Sequence, residues 1–374
     1  MKLRAVELRR IAMPLVSPFR TSFGTQHQRD ILLLKVITDG ACGWGECVAL
    51  ADPGYSPEYV DGQSDVLRQF FLPALATGQG AAAVGEFGAP VVARLLEPFK
   101  GHRMAKAALE MAILDAELRE TGRSFARELG GVVDRVPAGV SVGILESIPA
   151  LLDVVAGYLG EGYRRIKLKI EPGWDVAPVR AVRERFGDDV ALQVDANTAY
   201  TLRDARHLAK LDDFDLLLIE QPLAEDDVLG HADLAKTVRT PICLDESITS
   251  AQTAAAAIRL GATQVINIKP GRVGGYLEAR AIHDVAAAHG VPVWCGGMIE
   301  SGLGRAANAA LASLPGFTLP GDISASGRFY RVDVTAPLVL EDGHIRVPTG
   351  AGLGVDPIPE ILEEVTTAVD LFEF

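Results

Sequence analysis

Five ionisable residues, Lys169, Asp195, Glu220, Asp245 and Lys269, recur about every 25 residues, the length of one strand, one helix and two short turns. Each closes a short apolar, β-branched run, in "YRRIKLKI", "VALQVDAN", "FDLLLIEQP", "TPICLDES" and "TQVINIKPG". A parallel βα repeat returns all five to one edge of a sheet. In a closed βα barrel that edge is the mouth, where catalytic groups gather. Three carboxylates between two lysines on one rim describe a metal-assisted proton-transfer site.

Asp195, Glu220 and Asp245 come from three successive strands, so their carboxylates lie on one arc. Unpaired, they would repel, and a divalent cation removes that cost. With oxygen donors alone the expected ion is Mg²⁺, then Mn²⁺, ahead of zinc. Lys167 and Lys169 are two apart and share one side of their strand. Repulsion, desolvation and the metal charge favour a neutral amine there, the form a general base needs. Lys269 closes the strand across the barrel, so a metal-bound substrate carboxylate has its α-carbon between two amines. That suits removal of a proton α to a carboxylate. The alternative is a structural network in which the acids cap helices or pair with the lysines. Arg272 could tune Lys269, meet a distal substrate carboxylate, or lie on the surface. No histidine falls at a strand end, and "GRVGG" lacks the spacing of a dinucleotide fingerprint.

These groups need a scaffold, and 374 residues accommodate a barrel plus a smaller companion domain. Hydrophobic residues make up 48% and the formal net charge is −13, which sets nucleic acid and anionic membranes aside as partners. Cys42, Cys47, Cys243 and Cys295 form no CxxC pair and suit a reducing compartment. The first residues lack the continuous apolar core of a signal peptide. A cytoplasmic enzyme acting on a small-molecule carboxylate is the class expected.

Residues 3–15 and 31–49 are expected as strands. Between them "SPFRTSFGTQHQRD" is either a mobile loop over a pocket or an ordinary hairpin connection. Helical spacing follows over Pro57–Ala76, Val84–Leu96 and Met104–Glu120. Residues 1–130 therefore make an α+β unit, and residues 131–330 the barrel, its last strand drawn from "FTLPGDIS". Residues 331–374 are expected to hold a hairpin turning at Asp342-Gly343, a glycine-rich segment and a terminal helix, packed back on the first domain.

The segments "KLKIEPGWD", "QVDANTAYT", "LIEQPL", "CLDESI", "NIKPGRVGG" and "CGGMIESGLGRAAN" resemble the enolase superfamily, and within it the o-succinylbenzoate synthase / N-acylamino acid racemase family. The resemblance spans essentially the whole chain, including "PFRTSFGTQ" and "GDISASGRFY". It implies a (β/α)7β modified TIM barrel under an α+β capping domain. It assigns Asp195, Glu220 and Asp245 to Mg²⁺, and Lys169 and Lys269 to acid/base work. Phe19, Phe23, Ser141, Asn197, Met298 and Ile299 would shape the substrate pocket, with Lys167 and Arg272 as further substrate-binding candidates. The implied reactions are syn-dehydration of 2-succinyl-6-hydroxy-2,4-cyclohexadiene-1-carboxylate, on the way to a quinone, and racemisation of N-acyl or N-succinyl amino acids. A homo-oligomer is the implied assembly. A dipeptide epimerase, a muconate cycloisomerase or a catalytically retired binding barrel are the competing possibilities.

Overall fold

The computed structural model describes residues 1–81 and 87–374. Strand β1 (Leu3–Thr21) turns at Ser22-Phe23 into β2 (Gly24–Thr38), and β3 (Cys42–Cys47) follows. "SPFRTSFGTQHQRD" is therefore a hairpin. A register shift between Pro14 and Phe19 bends its tip, where proline offers no ladder donor. The tip reaches the second domain, as Ser22 Oγ donates to the Ala196 carbonyl at 3.2 Å.

Expected helix Pro57–Ala76 appears as Val60–Val66, a wider turn over Leu67–Phe71, and Leu72–Ala81. The first residues of expected helix Val84–Leu96 lie outside the described residues, and its remainder is Ala89–Leu96. Helix Arg103–Thr121 ends at Gly122, whose left-handed backbone lets its N–H reach the last carbonyls. This helix lies directly against β3. A Cβ on Gly43 or Gly45 would overlap the backbone of Ala112 or Ala108, so bare glycine and small alanine let strand and helix touch.

Past β4 (Arg135–Pro137), seven strands run parallel in chain order: β5 (Gly139–Val142), β6 (Arg165–Lys169), β7 (Leu192–Asp195), β8 (Ile219–Glu220), β9 (Ile242–Leu244), β10 (Val265–Ile268) and β11 (Val293–Cys295). All their residues but Ser141, which is half-buried, are buried, as expected where helices cover a barrel. Serine caps start several of those helices: Ser147 and Ser250 accept from Ala150 N and Thr253 N.

The eighth position departs from expectation. "FTLPGDIS" forms no regular strand, because Pro320 interrupts the ladder donors. It still closes the ring through bridges Val293–Phe317 and Ala138–Gly321, with Asp322 N donating to the Cys295 carbonyl at 2.9 Å. The fold is the (β/α)7β barrel with an α+β cap.

In the tail, β12 (Leu340–Glu341) and β13 (His344–Arg346) form a hairpin turning at Asp342-Gly343, and β13 pairs with β4. The expected terminal helix is only Pro359–Val365; β14 (Thr366–Glu373) follows and pairs antiparallel with β1. "TTAVDLFE" mixes β-branched and aromatic residues, which suits a strand against an open edge. Among the described residues no helix is long and apolar enough to cross a membrane.

Candidate active site

Strand register builds the rim. Lys169 is paired with Asp195, and Asp195 with Glu220, across β6, β7 and β8. Glu220 is paired with Cys243, so Asp245 stands two residues further, just past β9. Lys269 lies just past β10. All five are buried, and so is Lys167.

The acids and ammonium groups satisfy one another. Lys167 Nζ lies 3.1 Å from Asp195 Oδ2, 3.0 Å from Glu220 Oε2 and 2.6 Å from Asp322 Oδ2. Lys169 Nζ donates to Asp195 Oδ2 at 2.5 Å and to Asn197 Oδ1 at 2.7 Å. Lys269 Nζ is 2.6 Å from Asp245 Oδ2, and Arg272 Nε 3.2 Å from Asp245 Oδ1. Among the described residues, no three His, Cys, Asp or Glu side chains are already gathered as a ligand cluster.

Electrostatics follow from this crowding. Burial disfavours the charged form of Lys269, yet Asp245 and the Tyr55 hydroxyl overcome it and hold the ammonium well above the usual lysine range. Burial likewise opposes Lys167, and Asp322, Glu220 and Asp195 raise it. Burial would raise Asp195, but Lys169 and Lys167 hold it well below the carboxylate range. Glu220 goes the other way: burial, then Asp195, push it far above that range despite Lys167. Lys269 is thus held as an ammonium by the carboxylate beside it.

The donor set fits a hard divalent cation. Three fully buried carboxylates stand on adjacent strand ends, and at Glu220 burial and the Asp195 charge outweigh the nearby Lys167, a repulsion that a divalent cation would relieve. Asp245 Oδ1 and Glu246 Oε2 accept no hydrogen bond. Asp195, Glu220 and Asp245 are the residues that could hold such an ion.

One cavity of about 60 Å³ receives Lys169 and Lys269 together, walled by Phe19, Phe23, Asn197, Met298 and Ile299. It adjoins an open groove of about 370 Å³ that shares Phe23, Tyr55 and Asn197. Asn197 and Ile299 hold left-handed backbones at φ 41° and 59°. Such strain persists only where the surroundings enforce it. Asn197 Oδ1 orients Lys169, and the Tyr330 hydroxyl donates to the Ile299 carbonyl at 2.6 Å.

Three candidates stand off that wall. Lys167 is two residues deeper in the barrel, facing the Trp294 ring at 4.8 Å. Ser141 is level with Lys167 on β5, and its carbonyl accepts from Arg328 at 3.0 Å. Arg272 is turned to Asp245 and the Tyr55 hydroxyl.

Sequence reasoning missed Tyr55, Asn267 and Asp322. The Tyr55 hydroxyl accepts from Lys269 at 3.1 Å, and its ring lies 4.8 Å from Phe23. Nothing periodic marks a tyrosine in that loop. Asn267 Nδ2 donates to Glu220 Oε1 at 2.7 Å, and its place two residues before Lys269 was the available signal. Asp322 is held low by Lys167 and Arg165 against the upward push of burial.

A parallel barrel with acids on three adjacent strand ends, lysines on the flanking strands and an α+β cap over the mouth defines an enolase-type protein. Residues 4–130 match the mandelate racemase / muconate lactonizing enzyme N-terminal domain, and residues 150–361 the enolase C-terminal domain-like family. The chain belongs to the enolase superfamily, within it to the o-succinylbenzoate synthase / N-acylamino acid racemase family. It is 70% identical over 368 residues to an N-succinylamino acid racemase of Amycolatopsis sp, covering 98% of each chain. It is 46% identical to an o-succinylbenzoate synthase of Geobacillus kaustophilus, covering 98% of this chain and 96% of that one. A solved enolase-superfamily member from Listeria innocua superposes with a TM-score of 0.94 at 36% identity, over 100% of this chain and 99% of that one.

Proposed function

We propose that this chain removes the proton α to the carboxylate of a small molecule, racemising N-succinyl or other N-acyl amino acids and dehydrating the cyclohexadiene carboxylate to o-succinylbenzoate. The observation that carries it is the entry of Lys169 and Lys269 into one cavity from strands on either side of three buried carboxylates. The names of the relatives support the same pair of activities.

Asp195, Glu220 and Asp245 would hold Mg²⁺, with Mn²⁺ the next candidate. When bound, such an ion supplies positive charge to the substrate carboxylate as its α-carbon loses a proton. In racemisation one lysine takes the proton from one face and the ammonium of the other returns a proton to the opposite face. In dehydration Lys169 takes the α-proton and gives it to the β-hydroxyl, which departs from the same face as water, while Lys269 stays protonated beside the developing negative charge. Phe19, Phe23, Met298 and Ile299 exclude water around the remainder of the substrate. Residues 1–130 and 331–374 act in this scheme as the cap, and residues 131–330 as the chemical scaffold. Four unpaired thiols support a reducing, cytoplasmic setting, and homo-oligomeric assembly rests on the resemblance alone.

The test is a side-by-side kcat/KM comparison of N-succinyl amino acids, the cyclohexadiene carboxylate and Ala-Glu dipeptides. The first two are expected to be the better substrates. Preference for the dipeptide would overturn the proposal in favour of the epimerase, an activity named for a Bacillus subtilis relative at 30% identity.

A further inference from the structure

The two lysines are anchored differently. Lys169 lies inside β6, its backbone in register with Asp195. Lys269 lies outside β10, at the start of a short helical turn, Pro270–Val273. Val273 N bonds to the Lys269 carbonyl at 3.2 Å, and Gly274 N and Gly275 N to that of Pro270 at 3.1 and 3.0 Å. The turn leads straight into helix Tyr276–Ala288. Wherever the first turn of that helix goes, Lys269 follows.

That first turn is held from the other domain. Its N-cap residue, Gly275, has no side chain to accept the free N–H groups. They are accepted by Glu110, on the cap's helix Arg103–Thr121: Tyr276 N at 2.5 Å and Leu277 N at 3.1 Å, both on Oε1. Gly275 has a φ of 147°, and a Cβ there would overlap the Glu110 carboxylate. The second and third glycines of "GRVGG" thus form a bare junction where the cap's acid meets the barrel helix. Glu110 is only 4% exposed, an expensive place for a carboxylate whose sole task were to end a helix. The Tyr276 hydroxyl bonds Asn308, and Asn308 bonds Glu300, whose carboxylate accepts from Met298 N.

The geometry points to Glu110 as a positioning residue for Lys269: by accepting both backbone N–H groups of the following helix, the cap fixes the reach of one base and leaves the other alone. The inference rests on the two-lysine reading above and deepens it. It explains how a domain without either base sets the competence of just one.

The experiment follows early α-proton exchange with retention, in deuterium oxide, starting from each enantiomer of an N-succinyl amino acid. K169A and K269A assign each enantiomer to its lysine. E110A is expected to slow the Lys269-dependent exchange by about 10- to 100-fold and the other by less than about 2-fold. E110Q, whose amide oxygen can take the place of Oε1, is expected to stay within about 3-fold of wild type on both. G275A, which displaces the carboxylate from the barrel side, should reproduce the one-sided loss and serves as the second variant if E110A fails to fold. Equal loss of both exchanges in E110A or G275A, or a loss in E110Q as deep as in E110A, overturns the positioning role. Absence of exchange by the wild-type chain overturns the two-lysine reading itself. In that case amide hydrogen exchange at Tyr276 and Leu277 still reports whether Glu110 protects them.

Discussion

Lys269 Nζ stands 2.6 Å from Asp245 Oδ2, so the proposed base and the proposed metal ligand are each other's closest counter-charge. A cation on the acids competes with the ammonium for the same oxygen. Chelation is therefore expected to abolish activity, and added Mg²⁺ to restore it. D245N is expected to weaken metal affinity by more than about 10-fold, read by titration calorimetry. Full activity in a chelated, metal-free sample would refute the assignment.

Removing either amine tests the proton transfer directly. K169A and K269A are each expected to lower α-proton exchange of the enantiomer that lysine serves by about 10²- to 10⁴-fold, followed by NMR in deuterium oxide. The thermal midpoint of each variant shows whether the fold survives. Undiminished exchange in either would contradict its role.

Two buried acids predict how stability varies with pH. Glu46 on β3 accepts from Ser301 N at 2.9 Å, Ser301 Oγ at 2.6 Å and Gly304 N at 3.0 Å. Burial, opposed by the Ser301 hydrogen bond and reinforced by Glu300, pushes its carboxyl up to about 7. Burial, opposed by the Leu277 and Tyr276 amides and reinforced by Glu278, raises Glu110 likewise to about 7. A raised folded value means that the folded state holds these protons more tightly. The stabilisation is full below the unfolded value of 4.5 and is lost as pH rises through about 7. Urea unfolding should show wild type losing on the order of 1–3 kcal/mol more than E46Q/E110Q between pH 5 and 8. Parallel pH profiles would count against it.

Glycine substitutions should divide by location. G45A puts a methyl group into the Ala108 carbonyl of the facing helix and is expected to cost about 1–3 kcal/mol. G157A adds a methyl to an exposed helix position with nothing near it and should stabilise by about 0.5–1 kcal/mol. Thermal midpoints moving the same way in both variants would contradict the packing described for β3.

The barrel was readable because its strands are short apolar runs, each ending in a charged residue that has no reason to follow one unless the strand end matters. Asp195, Glu220 and Lys269 announce themselves in that way. Tyr55 does not, since its role comes from a loop whose approach to Lys269 is set by tertiary packing. The protonation of Lys167 and Lys269 is not legible from sequence either: burial and neighbouring acids pull in opposite directions, and only distances decide between them. β14 was mistaken for part of a helix because its partner β1 lies more than three hundred residues away, and strand propensity is weak without a partner. Closure by "FTLPGDIS" was legible as a segment but not as isolated bridges around Pro320.

The pairing of β14 with β1 also orders events during synthesis. β1, β2 and β3 leave the ribosome before the barrel does, yet the strand that covers the outer side of β1 is made only after the entire barrel. At about 5–20 residues per second, that edge waits roughly a quarter-minute to a minute with its N–H and C=O groups unpaired. The nascent cap is thus an incomplete sheet while the barrel is being made, and it becomes whole only when the barrel it must cover already exists.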